Sequence, residues 1–277
     1  MEKLADLHVH TNVSDGTFSP KEVVEYAKKI GLSCIAITDH DCVDGVEPAK
    51  KTAGKLGLEI IPGVEMTAQE KGVEVHILGF YPDIEDDIFL KKLEFIRKSR
   101  VDRIYKMAGK LKKYNVTIDP EKVLKLSGEG SVGRLHVAAV LEEEGYVSSI
   151  KEAFRRYIGD KGPCYVSHFE LTAKDAIAEL KRVGAVVVFA HPHLMGGHAL
   201  KPRFIKYGLD GIEAYHSEQS RQVSKRFVAL AGELGLLTTG GSDCHGLNKS
   251  EILMGKVKVP YRIVEELKRC ARRTKNT

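Results

Sequence analysis

Apolar runs alternate with amphipathic segments over the first 80 residues and again over the last 110. The runs are short, rich in β-branched residues and bounded by turn residues, which is typical of buried strands. The predicted strands are 4–10, 33–38, 58–65, 73–80, 185–190, 211–215 and 236–240. The predicted helices around them are 20–30, 45–56, 173–183, 218–234 and 261–273. This alternation favours a largely parallel α/β sheet, either open or closed into a barrel.

The middle of the chain has a different pattern. From about residue 86 to residue 157 it is highly charged and has helical spacing. The predicted helices there are 88–114, 120–126, 134–144 and 150–157, and a strand-like segment at 165–167 marks the return to the α/β pattern. We therefore expect an inserted helical subdomain over 85–165, and a barrel formed by 1–84 together with 166–277.

Composition excludes several classes of protein. The chain has 277 residues, of which 43% are hydrophobic and 29% are charged, as in ordinary globular proteins. No apolar run approaches the roughly 20 residues that cross a bilayer, and the N-terminal residues are charged rather than signal-like. Five scattered cysteines without a C-x-x-C pair argue against a disulfide framework or a cysteine zinc site. We expect a cytoplasmic protein that is not bound to a membrane.

Net charge says little about partners. The excess of +5 is spread along the chain, whereas a nucleic-acid binder would more typically concentrate its charge in one stripe. We expect no binding to duplex DNA, and the sequence indicates no obligate protein partner.

Imidazoles and carboxylates cluster at the ends of the predicted strands. The first strand ends in His8-Val9-His10, and strand alternation places both imidazoles on one face. In α/β folds the carboxyl ends of the strands form one functional rim. Carboxylates and imidazoles buried together there require a compensating charge, which a metal cluster supplies. The nine candidate ligands are His8, His10, Asp15, His40, Glu65, His76, His191, Asp243 and His245.

The types of these ligands narrow the chemistry. Imidazole with carboxylate and without thiolate suits manganese, iron or zinc. Nine ligands are too many for one ion, so we expect two or three divalent ions, Mn²⁺ first, with Fe²⁺, Zn²⁺ and Mg²⁺ as alternatives. Closely spaced ions bridged by a carboxylate generate hydroxide and stabilise both oxygens of an in-line displacement at phosphorus. The ligand set therefore predicts hydrolysis of phosphate esters.

Six short motifs carry a family resemblance. In order they are DLHVHT (6–11), SDG (14–16), ITDHD (37–41), GVE (63–65), HPH (191–193) and GSDCHG (241–246). They resemble the polymerase and histidinol phosphatase (PHP) superfamily. The insertion, with GRLHVA at 133–138, resembles the branch that acts on nucleoside 3′,5′-bisphosphates and on 5′ ends of short RNA. The resemblance implies a distorted seven-stranded (β/α) barrel whose inserted helical subdomain caps the substrate.

The resemblance also implies a trinuclear metal site. The first ion would be held by His8, His10, Glu65 and Asp243, the second by the bridging Glu65 with His76 and His191, and the third by Asp15, His40 and His245. A water that bridges the ions would attack phosphorus in line. We expect Glu65, His191 and Asp243 to be catalytic as well as ligating.

A second set of residues is expected to contact the substrate. Arg134 resembles the insertion arginine that binds a substrate phosphate, and the alternative is a solvated residue in the first turn of a helix. The others lie next to the insertion or at the metal rim, with surface or loop roles as their alternatives. The expected contacts are Arg134, His136, Arg156, Lys161, His193 and His216. We expect His168 and His198 to be ordinary loop residues.

The expected activity is metal-dependent removal of the 3′-phosphate from a nucleoside 3′,5′-bisphosphate, together with release of nucleotides from the 5′ end of short RNA. Histidinol-phosphate phosphatase is the alternative enzyme, although an insertion carrying Arg134 favours a larger, doubly phosphorylated substrate. Amide hydrolysis on a related barrel usually needs a lysine ligand or an equivalent bridging carboxylate, and no lysine ends a candidate strand. The alternative outside enzymes is a non-catalytic regulatory or nucleic-acid-binding module, but such modules commonly lose ligands and all nine are present.

Overall fold

A computed structural model describes residues 2–128, 130–167, 171–195, 202–248 and 251–274. The strands are β1 (Leu4–Val9), β2 (Cys34–Ile37), β3 (Glu59–Glu70), β4 (Val73–Phe80), β5 (Val186–Phe189), β6 (Gly211–His216), β7 (Leu237–Gly241) and β8 (Val259–Pro260). The helices are α1 (Pro20–Lys29), α2 (Val46–Leu56), α3 (Asp87–Lys112), α4 (Pro120–Ser127), α5 (Arg134–Glu143), α6 (Ile150–Ala153), α7 (Ala173–Arg182), α8 (Pro202–Lys206), α9 (Arg221–Glu233) and α10 (Tyr261–Thr274). A π-helical turn (Phe154–Ile158) follows α6, and a 3₁₀ turn (Pro192–Met195) follows β5. His168 and His198 lie outside the described residues.

The strands form one sheet in the order β7-β6-β5-β4-β3-β2-β1-β8. Strands β1, β2 and β3 are mutually parallel, as are β5, β6 and β7, while β4 is antiparallel to both of its neighbours. The sheet nearly closes, because the chain just after β7 meets β1. There the backbone N–H of His10 donates to the carbonyl of Cys244 at 3.0 Å, and that of Asp243 donates to His8 at 2.9 Å. A Cβ on Gly241 would lie 2.3 Å from the His8 Cβ, so this closure requires glycine.

The α/β barrel is confirmed, with one strand more than predicted. The additional strand is the two-residue β8, which pairs antiparallel with the start of β1. The predicted strand at 165–167 is wrong, because that segment is not paired as a strand. Side chains of α3 bond its carbonyls instead: Lys110 donates to Tyr165 at 2.5 Å and Arg103 donates to Val166 at 2.8 Å.

Strand β3 also runs five residues beyond its predicted end. Its extension pairs with β4 in a hairpin whose register places Thr67 opposite His76. Lys71 and Gly72 turn the chain, and both have positive φ, as a tight two-residue hairpin turn requires. Antiparallel pairing over eight residue pairs explains why a strand predicted to stop at the rim continues past it.

Buried hydrophobic residues form three clusters. One packs helices such as α1, α2 and α7 against the sheet, and a second lies between the sheet and α10. The third is built from the C-terminal half of α3 with α4, α5 and α6. The N-terminal half of α3 packs on the first cluster through Phe89, Leu93 and Ile96. Helix α3 thus spans the barrel and the helical segment, and the 85–165 boundary stays a prediction.

Within the described residues, no helix combines the length and the apolar character that crossing a bilayer would demand.

Candidate metal centre

Four parallel strands deliver most of the predicted ligands to one rim. His8 lies in β1, and His40, His191 and Asp243 follow β2, β5 and β7. Glu65 and His76 reach the same place from the antiparallel hairpin of β3 and β4. The structure brings all nine predicted ligands together.

Glu65 is the centre of the cluster and is completely buried. Its Oε1 lies 3.0 Å from His76 Nδ1 and 3.0 Å from His191 Nε2. Its Oε2 lies 3.1 Å from His8 Nε2 and 3.0 Å from His10 Nε2. The two oxygens therefore face two separate groups of imidazoles, which is the arrangement of a bridging carboxylate.

We call His8, His10, Glu65 and Asp243 the first group. Asp243 Oδ1 lies 3.4 Å from His8 Nε2 and 3.3 Å from His10 Nε2, and these two nitrogens are 3.1 Å apart. Ligand atoms placed about 2.0–2.1 Å from a tetrahedral ion are separated by about 3.3 Å. The spacing of the four donor atoms therefore fits a divalent cation.

The second group is Glu65, His76 and His191, and the third is Asp15, His40 and His245. In the second group, His76 Nδ1 and His191 Nε2 are 3.2 Å apart. The third is wider: Asp15 lies 3.2 Å from His245 Nε2 through Oδ1 and 3.9 Å from His40 Nε2 through Oδ2. Asp15 Oδ1 and His245 Nε2 are buried and close to each other, but they are not aligned for a hydrogen bond and have no other partner. Such atoms are costly to bury, so this group also fits a cation.

Burial and mutual charge shift the pKa of most of these groups. Burial raises the pKa of Glu65, but the surrounding imidazoles outweigh it and hold this pKa well below its ordinary value; the same holds for Asp15 and Asp243. Burial lowers the pKa of His10, but the bonded carboxylates of Asp243 and Glu65 raise it to about 9. Ions must displace such protons when they bind, so metal affinity is expected to rise with pH.

Three residues at this rim have left-handed backbone conformations. The φ angles are 48° at Asp41, 27° at His191 and 52° at Asp243. Such conformations cost on the order of 1 kcal/mol each and persist only where the surroundings hold them. The Asp41 N–H donates to the Glu65 carbonyl at 2.9 Å, and the Asp243 N–H donates to His8 as described above. Bonds between strand ends thus maintain the strained backbone that aims the ligands.

Glu213 is a functional residue that the sequence reasoning missed. It lies in β6, is completely buried, and its Oε1 is 3.0 Å from His8 Nδ1. Its Oε2 accepts the backbone N–H of His191 at 2.7 Å. A carboxylate on Nδ1 fixes the His8 tautomer with the Nε2 lone pair facing the first group. The available signal was an acid in the middle of an apolar strand, because a buried carboxylate needs a partner.

Glu213→Gln is expected to weaken binding of one Mn²⁺ ion about 10- to 100-fold, since the neutral amide makes His8 a poorer ligand. Titration of the metal-free protein with Mn²⁺ against a chromophoric chelator measures this change. Glu233→Gln, on the exposed face of α9, is the matched control and should bind Mn²⁺ like the wild type. Equal affinities in all three proteins would contradict the role of Glu213.

His193 and His216 adjoin the cluster as a pair. Their ring centroids are 4.5 Å apart, and His216 Nε2 lies 3.5 Å from Asp243 Oδ2. Burial and the neighbouring imidazoles of His216 and His191 lower the pKa of His193 to about 4. Both ring nitrogens of His193 lack a hydrogen-bond partner. His193 therefore places a neutral imidazole with two buried, unpaired nitrogens beside the cluster.

The insertion brings His136 and Arg134 towards the cluster. The His136 Nδ1 accepts the Gly133 N–H at 3.0 Å, and a Cβ on Gly133 would lie 3.1 Å from Asp15 Oδ2. Arg134 donates to Glu74 Oε1 at 2.9 Å and to Asp160 Oδ1 at 2.7 Å. This segment therefore packs directly behind the third group.

The structure does not bring Arg156 or Lys161 to the cluster. Arg156 contacts residues of the helical segment: it pairs with Glu152 at 3.1 Å and lies over the Tyr157 ring. Lys161 is exposed. Among the described residues, neither side chain has a contact with any of the nine ligands.

His136→Asn is expected to change how stability depends on pH. Burial lowers the pKa of His136 below its ordinary 6.5, and its Nδ1 must stay unprotonated to accept a hydrogen bond. The unfolded chain takes up a proton below about pH 6.5, so the stability that neutral His136 contributes above this pH is lost as the pH falls towards the lower folded pKa. Urea unfolding of the two proteins from pH 8 to pH 5 should show the wild-type advantage shrinking by at most about 1.4 kcal/mol per pH unit. Parallel curves would contradict a depressed pKa.

A family model described as the PHP domain matches residues 6–161 of this chain. The chain belongs to the PHP family. A solved structure from Bifidobacterium adolescentis, of a protein assigned by similarity as a metal-dependent phosphoesterase, superposes with a TM-score of 0.88 at 30% identity, covering 96% of each chain. The PHP chain described here is therefore a metal-dependent hydrolase of phosphate esters, and its donor set fits that chemistry.

Three curated relatives act on different phosphate esters. A 5′-3′ exoribonuclease from Haemophilus influenzae is 31% identical over 252 residues, 88% of this chain and 91% of the relative. A 3′,5′-nucleoside bisphosphate phosphatase from Chromobacterium violaceum is 29% identical over 246 residues, 87% of this chain and 86% of the relative. A phosphoribosyl 1,2-cyclic phosphate 1,2-diphosphodiesterase from Eggerthella lenta is 30% identical over 249 residues, 88% of this chain and 94% of the relative. All three relatives are hydrolases of phosphate esters, which agrees with the reaction class of this PHP chain. Because their identities to the chain are nearly equal, they do not indicate which substrate it uses.

Proposed function

We propose that this PHP enzyme removes the 3′-phosphate of a nucleoside 3′,5′-bisphosphate and also releases nucleotides from the 5′ end of short RNA. The observation that carries the proposal is a cationic side chain of the insertion beside the metal centre. Arg134 and the predicted ligand His76 share the carboxylate Glu74, at 2.9 Å and 3.3 Å. A substrate with two phosphates can place one at the ions and the other on Arg134, and the relative from C. violaceum is named for such a substrate.

Arg134 can exchange one of its partners for a phosphate. Its Nη2 is held by Glu74, while its Nη1 donates to the Ile158 carbonyl at 3.2 Å and pairs with Asp160, whose side chain is 53% exposed. A phosphate offers the guanidinium two oxygens in a plane, which makes a stronger pair than a single exposed carboxylate oxygen. Asp160 is free to turn into solvent when the phosphate arrives.

The metal set that we propose is two or three divalent ions, Mn²⁺ first, held by the first, second and third groups. When bound, such ions lower the pKa of water and neutralise phosphate oxygens. Around them, Glu65, His191 and Asp243 would be the catalytic residues, with Glu65 joining the first two groups. His193 and His216 would hold phosphate oxygens through their ring nitrogens.

We propose that the helical segment 85–165 caps the substrate. Its loop packs against the chain that carries Asp15: the Ser131 N–H donates to the Val13 carbonyl at 2.9 Å. With Gly133 also against Asp15, this segment lies beside the third group. The substrates would be free nucleotides or short RNA in the cytoplasm, with no need for duplex DNA, a membrane or another protein.

Phosphate release by the Mn²⁺-loaded protein from adenosine 3′,5′-bisphosphate, 5′-AMP and histidinol phosphate tests the proposal. We expect kcat/KM for the bisphosphate to exceed that for the other two by at least about tenfold, which corresponds to about 1.4 kcal/mol from one good phosphate contact. A preference for histidinol phosphate would keep the metal centre but overturn the substrate. No release from any of the three would indicate a different phosphate ester.

Arg134→Met sharpens this test. We expect KM for the bisphosphate to rise about tenfold, because a charge-assisted phosphate contact is lost. At saturating Mn²⁺ the value for 5′-AMP should change little, because Arg103 still pairs with Glu74 in this variant. Arg155→Met is the matched control, since Arg155 lies in the π-helical turn after α6 with its side chain 77% exposed. An equal rise of KM for both nucleotides would contradict the proposal that Arg134 binds the second phosphate of the substrate.

A further inference from the structure

Glu74 is a buried carboxylate that links the helical segment to a predicted metal ligand. It lies in β4 two residues before His76, so the two side chains share one face of the strand. Its side chain is only 6% exposed. Sequence reasoning gave this residue no role beyond its place in the strand.

Three donors surround the Glu74 carboxylate. Its Oε2 accepts from Arg103 Nη2 of α3 at 2.8 Å, and its Oε1 accepts from Arg134 Nη2 of α5 at 2.9 Å. The same Oε1 lies 3.3 Å from His76 Nε2. Arg103 is itself fixed, because its Nε donates to the Val166 carbonyl at 2.8 Å and its side chain is 5% exposed. Both arginines come from the helical segment, whereas His76 belongs to the barrel.

An ionised carboxylate beside His76 Nε2 determines which ring nitrogen carries the proton. Because Glu74 can only accept, Nε2 must donate, and the lone pair is then on Nδ1. That Nδ1 faces Glu65 Oε1 at 3.0 Å and His191 Nε2 at 3.2 Å, which is the second group. Such an outer carboxylate orients the imidazole and makes it a stronger metal ligand.

Arg103 and Arg134 hold the Glu74 carboxylate in this position through one hydrogen bond to each of its oxygens. A buried carboxylate without such donors turns towards water, and this would end its contact with His76. We propose that Glu74 is a positioning residue through which docking of the helical segment completes the second metal group. The helical segment then acts on metal binding as well as on the substrate.

A purely structural ion pair would leave the metal centre unaffected, and the chain offers a matched control for that case. Glu179 of α7 is also a buried carboxylate, and it also pairs with α3, through Lys92 at 3.3 Å. It has a second partner in Arg182 at 2.7 Å. Among the described residues, Glu179 contacts none of the nine predicted ligands. Replacing Glu179 therefore removes a comparable buried ion pair with α3 and leaves the second group unchanged.

The test measures Mn²⁺ binding to metal-free wild type, Glu74→Gln, Arg103→Met and Glu179→Gln by titration against a chromophoric chelator, with metal content determined by mass spectrometry. We expect Glu74→Gln to lose affinity for one ion about 10- to 100-fold. Arg103→Met should change in the same direction, and Glu179→Gln should bind like the wild type. Wild-type affinity in both Glu74→Gln and Arg103→Met would overturn the proposal, even if both melt at a lower temperature.

A second readout does not require the variants to be equally stable. In the wild type loaded with diamagnetic Zn²⁺, ¹⁵N–¹H correlation spectra of the imidazoles should show His76 with its proton on Nε2, and a proton on Nδ1 would overturn the proposal. Arg103→Lys, which keeps a cation at Glu74, should restore most of the affinity that Arg103→Met loses. No substrate enters these measurements, so their failure and the failure of the bisphosphate specificity are distinguishable.

Discussion

Glu65→Gln lowers the turnover number of the Mn²⁺-loaded enzyme on the order of 1,000-fold, which is the expected size when a central electrostatic group of a catalytic site is removed. Glutamine keeps the shape of the side chain but has no charge, and only one of its two terminal atoms can accept. It therefore cannot serve both the imidazoles at Oε1 and those at Oε2. Steady-state phosphate release at saturating metal, with circular dichroism to verify folding, measures the effect.

Glu59→Gln is the control for Glu65→Gln on the same strand. Glu59 begins β3 at the opposite end of the barrel, where it pairs with Lys268 at 2.6 Å. Its replacement should leave the turnover number within about twofold, because an exposed ion pair contributes little even to stability. A Glu65→Gln enzyme with near-normal turnover would show that this carboxylate does not bridge the ions.

Arg100→Met is expected to lower the free energy of unfolding by about 3–5 kcal/mol, because it leaves a buried carboxylate without its cation. Arg100 of α3 is 5% exposed and donates to Asp41 Oδ2 through Nε at 2.8 Å and through Nη2 at 2.5 Å. It also donates to Thr67 at 2.6 Å and to the Val132 carbonyl at 3.2 Å. Denaturant unfolding of the metal-free protein measures the loss.

Two further variants test whether Arg100→Met loses stability because Asp41 is left unpaired or because any change in α3 destabilises the protein. Arg97→Met, one turn earlier on the same helix, removes a 2.9 Å pair with Asp44, whose side chain is 59% exposed, and should cost less than about 1 kcal/mol. Arg100→Met combined with Asp41→Asn should be less destabilised than Arg100→Met alone, since the unpaired charge is gone. Equal losses for Arg97→Met and Arg100→Met would contradict the importance of the buried pair.

The alternation of strands and helices was predictable because it depends on neighbouring residues. The helix α1 illustrates this: Ser19 accepts the Glu22 N–H, and Pro20 occupies the first turn, both visible in the sequence as start signals. His8 and His10 share a face for the same reason, since strand alternation is a local property. The ends of parallel strands then meet at one rim whatever the rest of the chain does, so the cluster itself followed from the sequence.

Pairing between distant segments was not predictable in this way. The antiparallel direction of β4 depends on a hairpin turn at Lys71 and Gly72, and it changes how His76 reaches the rim. The short β8 has too few residues for a pattern and exists only because it pairs with β1. A two-residue strand gains its stability from its partner and not from its own composition.

The amino-acid sequence by itself determined the α/β class, the helical insertion and the nine residues gathered at the rim, because periodicity and short motifs carry that information locally. Only the tertiary structure decided which carboxylates and arginines contact these ligands and hold them in place. Glu213 contacts His8 across the sheet, and Arg103 of the insertion holds the Glu74 carboxylate beside His76. Arg134 likewise meets Glu74 and Asp160 through the fold. A buried charge takes the partner that packing brings to it, and packing depends on residues far away along the chain.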